Sequence, residues 1–177
     1  MEQVKPEGNK IGILGGTFDP AHKGHIKISK IAKKKFNLNT IIWAITTQNP
    51  YKKKSLTSMN KRLICAKKIN KNNKFIEVKN FENKIKSNRT IDLLRFLKVK
   101  NPNSKLYFIM GADNLIKFHK WKNFKNIIKL CRIIVFDRQG YKEKALKSFT
   151  YRKYKKENIE FIKFKKVNIS SSKLRKI

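Results

Sequence analysis

Short β-branched apolar runs and amphipathic stretches take turns along this chain. Residues 10–15 (KIGILG) predict a buried strand, and residues 22–36 predict a helix with Ile28, Ile31, Ala32 and Phe36 on one face. The pattern continues with a strand over 40–46 (TIIWAIT), a helix over 59–69 and a short strand over 75–78. A helix over 90–98 follows, its stripe formed by Ile91, Leu94 and Leu97, and then a strand over 105–110 (KLYFIM). The last third predicts a helical stretch over 121–130, a strand over 132–136 (RIIVF), a helix over 142–148, a strand over 159–164 and a terminal helix over 171–176. Strands alternating with helices predict an α/β fold: a single doubly wound, mostly parallel sheet with helices on both faces. Right-handed crossovers then gather the loops that follow the strands on one edge, where ligands of such sheets bind.

The chain of 177 residues is long enough for one domain with a real core, read as residues 10–177 behind a disordered tail at 1–9. No apolar run approaches the roughly 18 residues that span a bilayer, and the first residues carry Glu2, Pro6 and Glu7 with no apolar centre, unlike a secretory signal. Cys65 and Cys131 sit in separate apolar contexts without CxxC spacing, so neither a zinc site nor a disulfide framework is expected, in keeping with a reducing cytoplasm.

Charge raises a competing class. Lys and Arg number 45 against 11 acids, a net charge of +34, as in a nucleic-acid or membrane binder. The lysines are spread over the whole length, however, and Asn and Ile are abundant beside them, as a drift toward AT-rich codons produces. No helix-turn-helix signature, RNP-like aromatic run or zinc spacing supports a basic nucleic-acid-binding protein. Neither a specific nucleic acid nor a membrane is expected as partner, although a cationic surface attracts anionic substrates.

The uncommon residues follow the strands: 15–25 after the first, 48–52 after the second, 111–113 after the fourth, 138 after the fifth and 168–175 after the sixth. Of only seven glycines, Gly12, Gly15, Gly16 and Gly24 cluster at the first strand and its exit. A tight turn alone would use glycine too. Asp19 as N-cap and Pro20 at the first helical position would nonetheless aim free N–H groups at the loop, an anion site. Two of the three histidines, His22 and His25, would share a face of that first turn, about 5–6 Å apart at Cβ. A positive helix end disfavours a charged imidazole unless an anion is near.

These residues carry a resemblance. Gly15-Gly16-Thr17-Phe18-Asp19-Pro20-Ala21-His22-Lys23-Gly24-His25 resembles the signature of the nucleotidyltransferase superfamily with the HxGH motif. Gln48-Asn49-Pro50-Tyr51-Lys52, Gly111-Ala112-Asp113-Asn114-Leu115 followed by Trp121, and Ile169-Ser170-Ser171-Ser172-Lys173-Leu174-Arg175 resemble segments of the bacterial nicotinate-nucleotide adenylyltransferases. A phosphopantetheine enzyme would more typically carry Thr at the position of His22. The family's Ser-Tyr-Thr-x-x-Thr stands here as Asn88-Arg89-Thr90-Ile91-Asp92-Leu93, which keeps the first threonine and departs at Arg89 and Leu93. Relatives usually continue beyond the position of Ile177 into a further helical segment, whose contribution is expected to be absent or replaced.

The resemblance implies that ATP and nicotinate mononucleotide give nicotinate adenine dinucleotide and pyrophosphate. A related adenylyltransferase using nicotinamide mononucleotide or another phosphoester is the alternative. It implies ATP contacts from Gly15, Gly16, Thr17, Phe18, His22, His25, Gly111, Asp113, Arg138, Ser170, Ser171, Ser172 and Arg175. It implies catalytic roles for His22, His25 and Lys52, and mononucleotide contacts from Gly16, Thr17, Lys52, Thr90, Trp121 and Lys122. Trp121 on a helical stripe would equally suit the core, and a run of serines would equally suit a helix cap. His119 has no motif partner and reads as surface. Mg2+ is expected as an ion held by the phosphates of ATP, because the few acids form no DxD cluster, and no protein metal site or permanently bound cofactor is expected. The reaction's nucleophile is an anionic phosphate oxygen, so the task is positioning and charge stabilisation more than proton transfer. The oligomeric state does not follow from the sequence.

Overall fold

The computed structural model describes residues 8–48 and 55–164. Six strands, β1 (Lys10–Gly16), β2 (Thr40–Ile45), β3 (Ile76–Lys79), β4 (Lys105–Gly111), β5 (Arg132–Phe136) and β6 (Ile159–Ile162), form one sheet in the order β3-β2-β1-β4-β5-β6. Every neighbouring pair is parallel. The chain winds outward from β1 to β3 and restarts at β4, so strand order reverses between β1 and β4, and a crevice opens there at the carboxyl ends. This is the doubly wound sheet that the alternation predicts.

Eight helices and one 3-10 turn are described: α1 (Lys23–Phe36), α2 (Met59–Ile69), α3 (Glu82–Ile85), α4 (Thr90–Lys100), α5 (Ala112–Ile116), the 3-10 turn Phe118–Lys120, α6 (Phe124–Leu130), α7 (Lys142–Leu146) and α8 (Phe149–Tyr154). The strands alternate their side chains between two cores. Ile11, Ile13, Phe108 and Met110 pack with Ile91, Leu94, Leu115 and Ile127 on the face covered by α4 to α6. Leu14, Trp43, Ile45 and Ile109 pack with Ala32 and Ala66 on the face covered by α1 and α2. Leu38 and Ile41 fill the place of a side chain at Gly12, where a Cβ would stand 2.9 and 3.1 Å from them.

Several boundaries differ from the pattern's forecast. The helix forecast over 121–130 starts only at Phe124, because Asn123 takes a left-handed backbone (φ 55°) and Trp121 ends the 3-10 turn in an extended conformation. The forecast missed α3, α5 and α8, which are four, five and six residues long, too short to display a helical period. Cys65 is exposed on α2 rather than in an apolar setting, while Cys131 is buried, and both are free thiols. The terminal helix forecast over 171–176 lies outside the described residues. So do residues 1–7 of the forecast tail, whereas Asn9 already accepts a bond from the Lys105 N–H at 2.8 Å.

Candidate active site

The loop after β1 forms a turn with a buried aromatic at its centre. Phe18 holds a left-handed backbone (φ 48°), a costly conformation for a bulky residue, and its ring is 2% exposed. The ring stacks on Trp43 of β2 (centroids 4.9 Å apart, planes at 19°) and meets His25 at 4.7 Å. Trp43 is itself fixed: its indole N–H donates to Ser29 Oγ at 2.9 Å, and that hydroxyl donates to the His25 carbonyl at 2.9 Å. Burial and stacking thus offset the turn's strain and bind α1 to the sheet at the residue that carries the second imidazole. A Cβ at Gly16 would stand 3.4 Å from the Phe18 ring and one at Gly15 3.4 Å from the Phe108 ring, ordinary van der Waals contact, so the two rings pack against this stretch of backbone.

Asp19 and Pro20 do not begin the helix. The Asp19 carboxylate is 1% exposed and receives the Leu56 N–H at 2.8 Å, so it is committed to the segment before α2. The Asp19–Pro20 peptide is cis, and helical backbone starts only at Lys23. The N-cap is His22, in extended conformation (φ −147°). Its Nδ1 accepts the Gly24 N–H at 3.1 Å, while His25 Nδ1 accepts the His22 N–H at 3.2 Å, a reciprocal capping box built from imidazoles. Both Nδ1 atoms therefore act as acceptors, which assigns the remaining ring proton of each neutral imidazole to Nε2. Burial, aided by the positive charge of Arg138, pushes the His22 pKa down from 6.5 to about 4, so His22 is neutral at physiological pH.

Two residues that the sequence reading missed, Arg62 and Glu82, lock this loop to its neighbours. Arg62, 3% exposed on α2, donates to the carbonyls of Thr17 (2.7 Å), Thr46 (2.7 Å), Thr57 (3.0 Å) and Thr47 (3.3 Å). One guanidinium thus joins the exits of β1 and β2 to the start of α2. Its burial disfavours the charge, and the carboxylates of Asp19 and Glu82 oppose that effect. Glu82 receives the Thr47 N–H at 3.0 and 3.1 Å and both hydroxyls of Thr46 and Thr47. A sequence signal for Arg62 existed: Arg62, Ala66 and Asn70 recur every four residues and all are buried. Among 45 Lys and Arg residues, composition does not set this arginine apart.

Two sets of forecast residues come together on either side of Gly15 and Gly16. On the α1 side stand His22 and His25, with ring centroids 3.8 Å apart. Arg138, just past β5, pairs with Asp113 in α5 at 2.6 Å, so the carboxylate and the arginine that are both expected on ATP engage each other. Gly111, which ends β4, lies against that pair: a Cβ there would stand 2.5 Å from Asp113 Oδ1. On the opposite face a cavity of about 400 Å3 opens, lined by Gly15, Gly16, Thr90, Phe108, Trp121 and Lys122 among others. Trp121 packs edge-on against Phe108 (6.0 Å) and Phe118 (5.2 Å) and also lines the cavity, so it belongs both to the core and to the cavity wall. His119 is exposed, as forecast, and Lys52, Ser170, Ser171, Ser172 and Arg175 lie outside the described residues.

The cytidylyltransferase-like family model matches residues 13–177. A Pelagibacter ubique protein described as a probable nicotinate-nucleotide adenylyltransferase is 61% identical over 98% of this chain and 99% of its own length. An Aquifex aeolicus protein described in the same words is 35% identical over 84% of this chain and 91% of its own. Among solved structures, Plasmodium falciparum nicotinic acid mononucleotide adenylyltransferase complexed with APC superposes with a TM-score of 0.73 at 27% identity, covering 95% of this chain and 83% of that one. The same enzyme complexed with NaAD gives 0.72 at 26% identity over the same shares. With its histidine-capped loop after β1 and its reversal of strand order beside it, the chain belongs to the cytidylyltransferase-like family, among the nicotinate-nucleotide adenylyltransferases.

Proposed function

We propose that this enzyme transfers the adenylyl group of ATP to nicotinate mononucleotide, forming nicotinate adenine dinucleotide and pyrophosphate in the synthesis of NAD. An oxygen of the mononucleotide phosphate attacks the α-phosphorus of ATP. A P–O bond forms there, and the bond to the β,γ-pyrophosphate breaks. The nucleophile is already anionic, so the protein's task is to hold two anions together and to stabilise the charge that collects on the leaving group.

The observation that carries this reading is the meeting of two neutral imidazoles and an apolar cavity across Gly15 and Gly16. Two Nε2–H groups at the start of α1 offer hydrogen bonds to phosphate oxygens, next to the N–H groups of the helix's first turn. In this reading the ATP side uses Gly15, Gly16, Thr17, Phe18, Gly111, Asp113 and Arg138. The mononucleotide lies in the cavity with its ring near Trp121 and Lys122 and assisted by Thr90. Lys52 keeps its expected catalytic role and contact to the mononucleotide, and Ser170, Ser171, Ser172 and Arg175 their expected contacts to ATP.

Mg2+ belongs to this reading as an ion brought in by the triphosphate. Among the described residues no three His, Cys, Asp or Glu side chains gather into a metal-binding group, and Mg2+ commonly keeps its waters and binds through substrate phosphates. When bound it neutralises charge on the leaving pyrophosphate. Among the described residues no helix is long and apolar enough to cross a membrane, and we read the enzyme as working in the cytoplasm.

An acceptor panel tests the proposal. Purified protein with ATP and Mg2+ should release pyrophosphate when nicotinate mononucleotide is supplied and much more slowly with phosphopantetheine or glycerol phosphate. Release that does not depend on a pyridine mononucleotide would refute it.

A further inference from the structure

The lining of the cavity carries cationic groups, one of them at the residue that caps α4. Arg89, Lys120 and Lys122 line it, and Glu82, the carboxylate that also lines it, is engaged by Thr46 and Thr47. Arg89 is the N-cap of α4, yet its side chain makes no capping bond; its backbone is held, the N–H by Ser87 Oγ at 3.1 Å and the carbonyl by the Asp92 and Leu93 N–H groups at 3.2 Å. The nearby Asp92 receives the Ser87 hydroxyl at 2.7 Å and stands 3.8 Å from Arg95. Among the described residues the Arg89 guanidinium therefore pairs with no carboxylate.

A guanidinium presents parallel N–H donors that match the two oxygens of a carboxylate. Beside the apolar surface of Ile85, Leu93 and Trp121, that match is less diluted by water than on an open surface. The acceptor's two anionic ends must lie apart. Its phosphate is the nucleophile and belongs beside the imidazoles and Gly16, whereas α4 and Trp121 cover the face of the sheet opposite α1. The anion left for the α4 end is the carboxylate on the pyridine ring. We propose that Arg89 is a specificity-determining residue that favours the pyridine acid over its amide, an inference that rests on the acceptor reading above.

The test is steady-state kinetics of the wild type and of R89Q, R89K and R89E with nicotinate mononucleotide and nicotinamide mononucleotide, at saturating ATP and Mg2+. The expected result is a fall of about tenfold in the acid-to-amide ratio of kcat/KM for R89Q, carried mainly by KM for the acid. R89E should lower the ratio further and R89K should keep most of it. Added salt should erode the wild-type preference more than that of R89Q. An unchanged ratio overturns the proposal, and so does an equal loss on both acceptors, which would assign Arg89 to the phosphoribosyl part they share. A wild type that turns over neither acceptor would sink the acceptor reading itself and the inference with it. An active wild type with an unmoved ratio in R89Q sinks the inference alone.

Discussion

The imidazoles of His22 and His25 stand with centroids 3.8 Å apart and planes inclined by 30°, each ring accepting a backbone N–H at Nδ1. Two imidazolium ions would repel strongly at that separation and would leave the backbone N–H groups facing a second proton. The pair is thus built to be neutral and to donate from Nε2.

That neutrality predicts a titration. His22 should protonate near pH 4 instead of near 6.5, as followed by NMR of its ring protons. Because the folded value lies below the unfolded one, the unfolded chain binds more protons between about pH 4 and 6.5. Stability should therefore rise with pH through that window. The contribution of His22 is complete above 6.5 and is lost as pH falls through 4. Burial is the larger cause and Arg138 the second, so R138Q should raise the titration point only in part. A ring that titrates near 6.5 would contradict the assignment.

His25→Ala should lower kcat by about 10²–10³, the usual cost of losing a donor that stabilises charge in the transition state. Binding of ATP, measured by calorimetry, should change far less. A change in kcat below a few-fold would remove His25 from that role.

Arg62→Ala should destabilise the fold by about 2–4 kcal/mol, since it strands the part-buried carbonyls of Thr17, Thr46 and Thr57. Urea unfolding would read this as a lowered midpoint at unchanged slope. R62K should recover only part, because an ammonium cannot reach all of these oxygens from one position. Full stability in the alanine variant would show that the loops hold without it.

Trp121→Ala should raise KM for the mononucleotide by about tenfold, the worth of one aromatic contact. It should also lower stability, because the ring packs on Phe108 and Phe118. Trp121→Phe keeps an aromatic face and should restore most of KM. A stability loss with KM unmoved would make Trp121 a core residue only.

The sheet was legible in the sequence because strands buried on both faces read as continuous apolar runs, of which RIIVF and TIIWAI are examples. The short helices were not, since α3 and α5 offer barely a turn of pattern. In the site, Thr90, Trp121 and Lys122 were assigned together from motif likeness and do line one cavity. The start of α1 was misread because Asp and Pro suit a helix start in general, whereas here the Asp19 carboxylate is drawn to Leu56, 37 positions along the chain. Arg62 and Glu82 escaped for a related reason. Their importance lies in carbonyls, N–H groups and hydroxyls brought to them from distant loops, which composition and local period do not encode.

The most direct measurement of the central claim is the fate of labelled oxygen. Nicotinate mononucleotide carrying 18O in its phosphate is incubated with the enzyme, unlabelled ATP and Mg2+, and the products are weighed by mass spectrometry. Attack by that phosphate on the α-phosphorus retains all the label in the dinucleotide and leaves pyrophosphate unlabelled. Label in the pyrophosphate, or AMP released with no dinucleotide formed, would contradict the account.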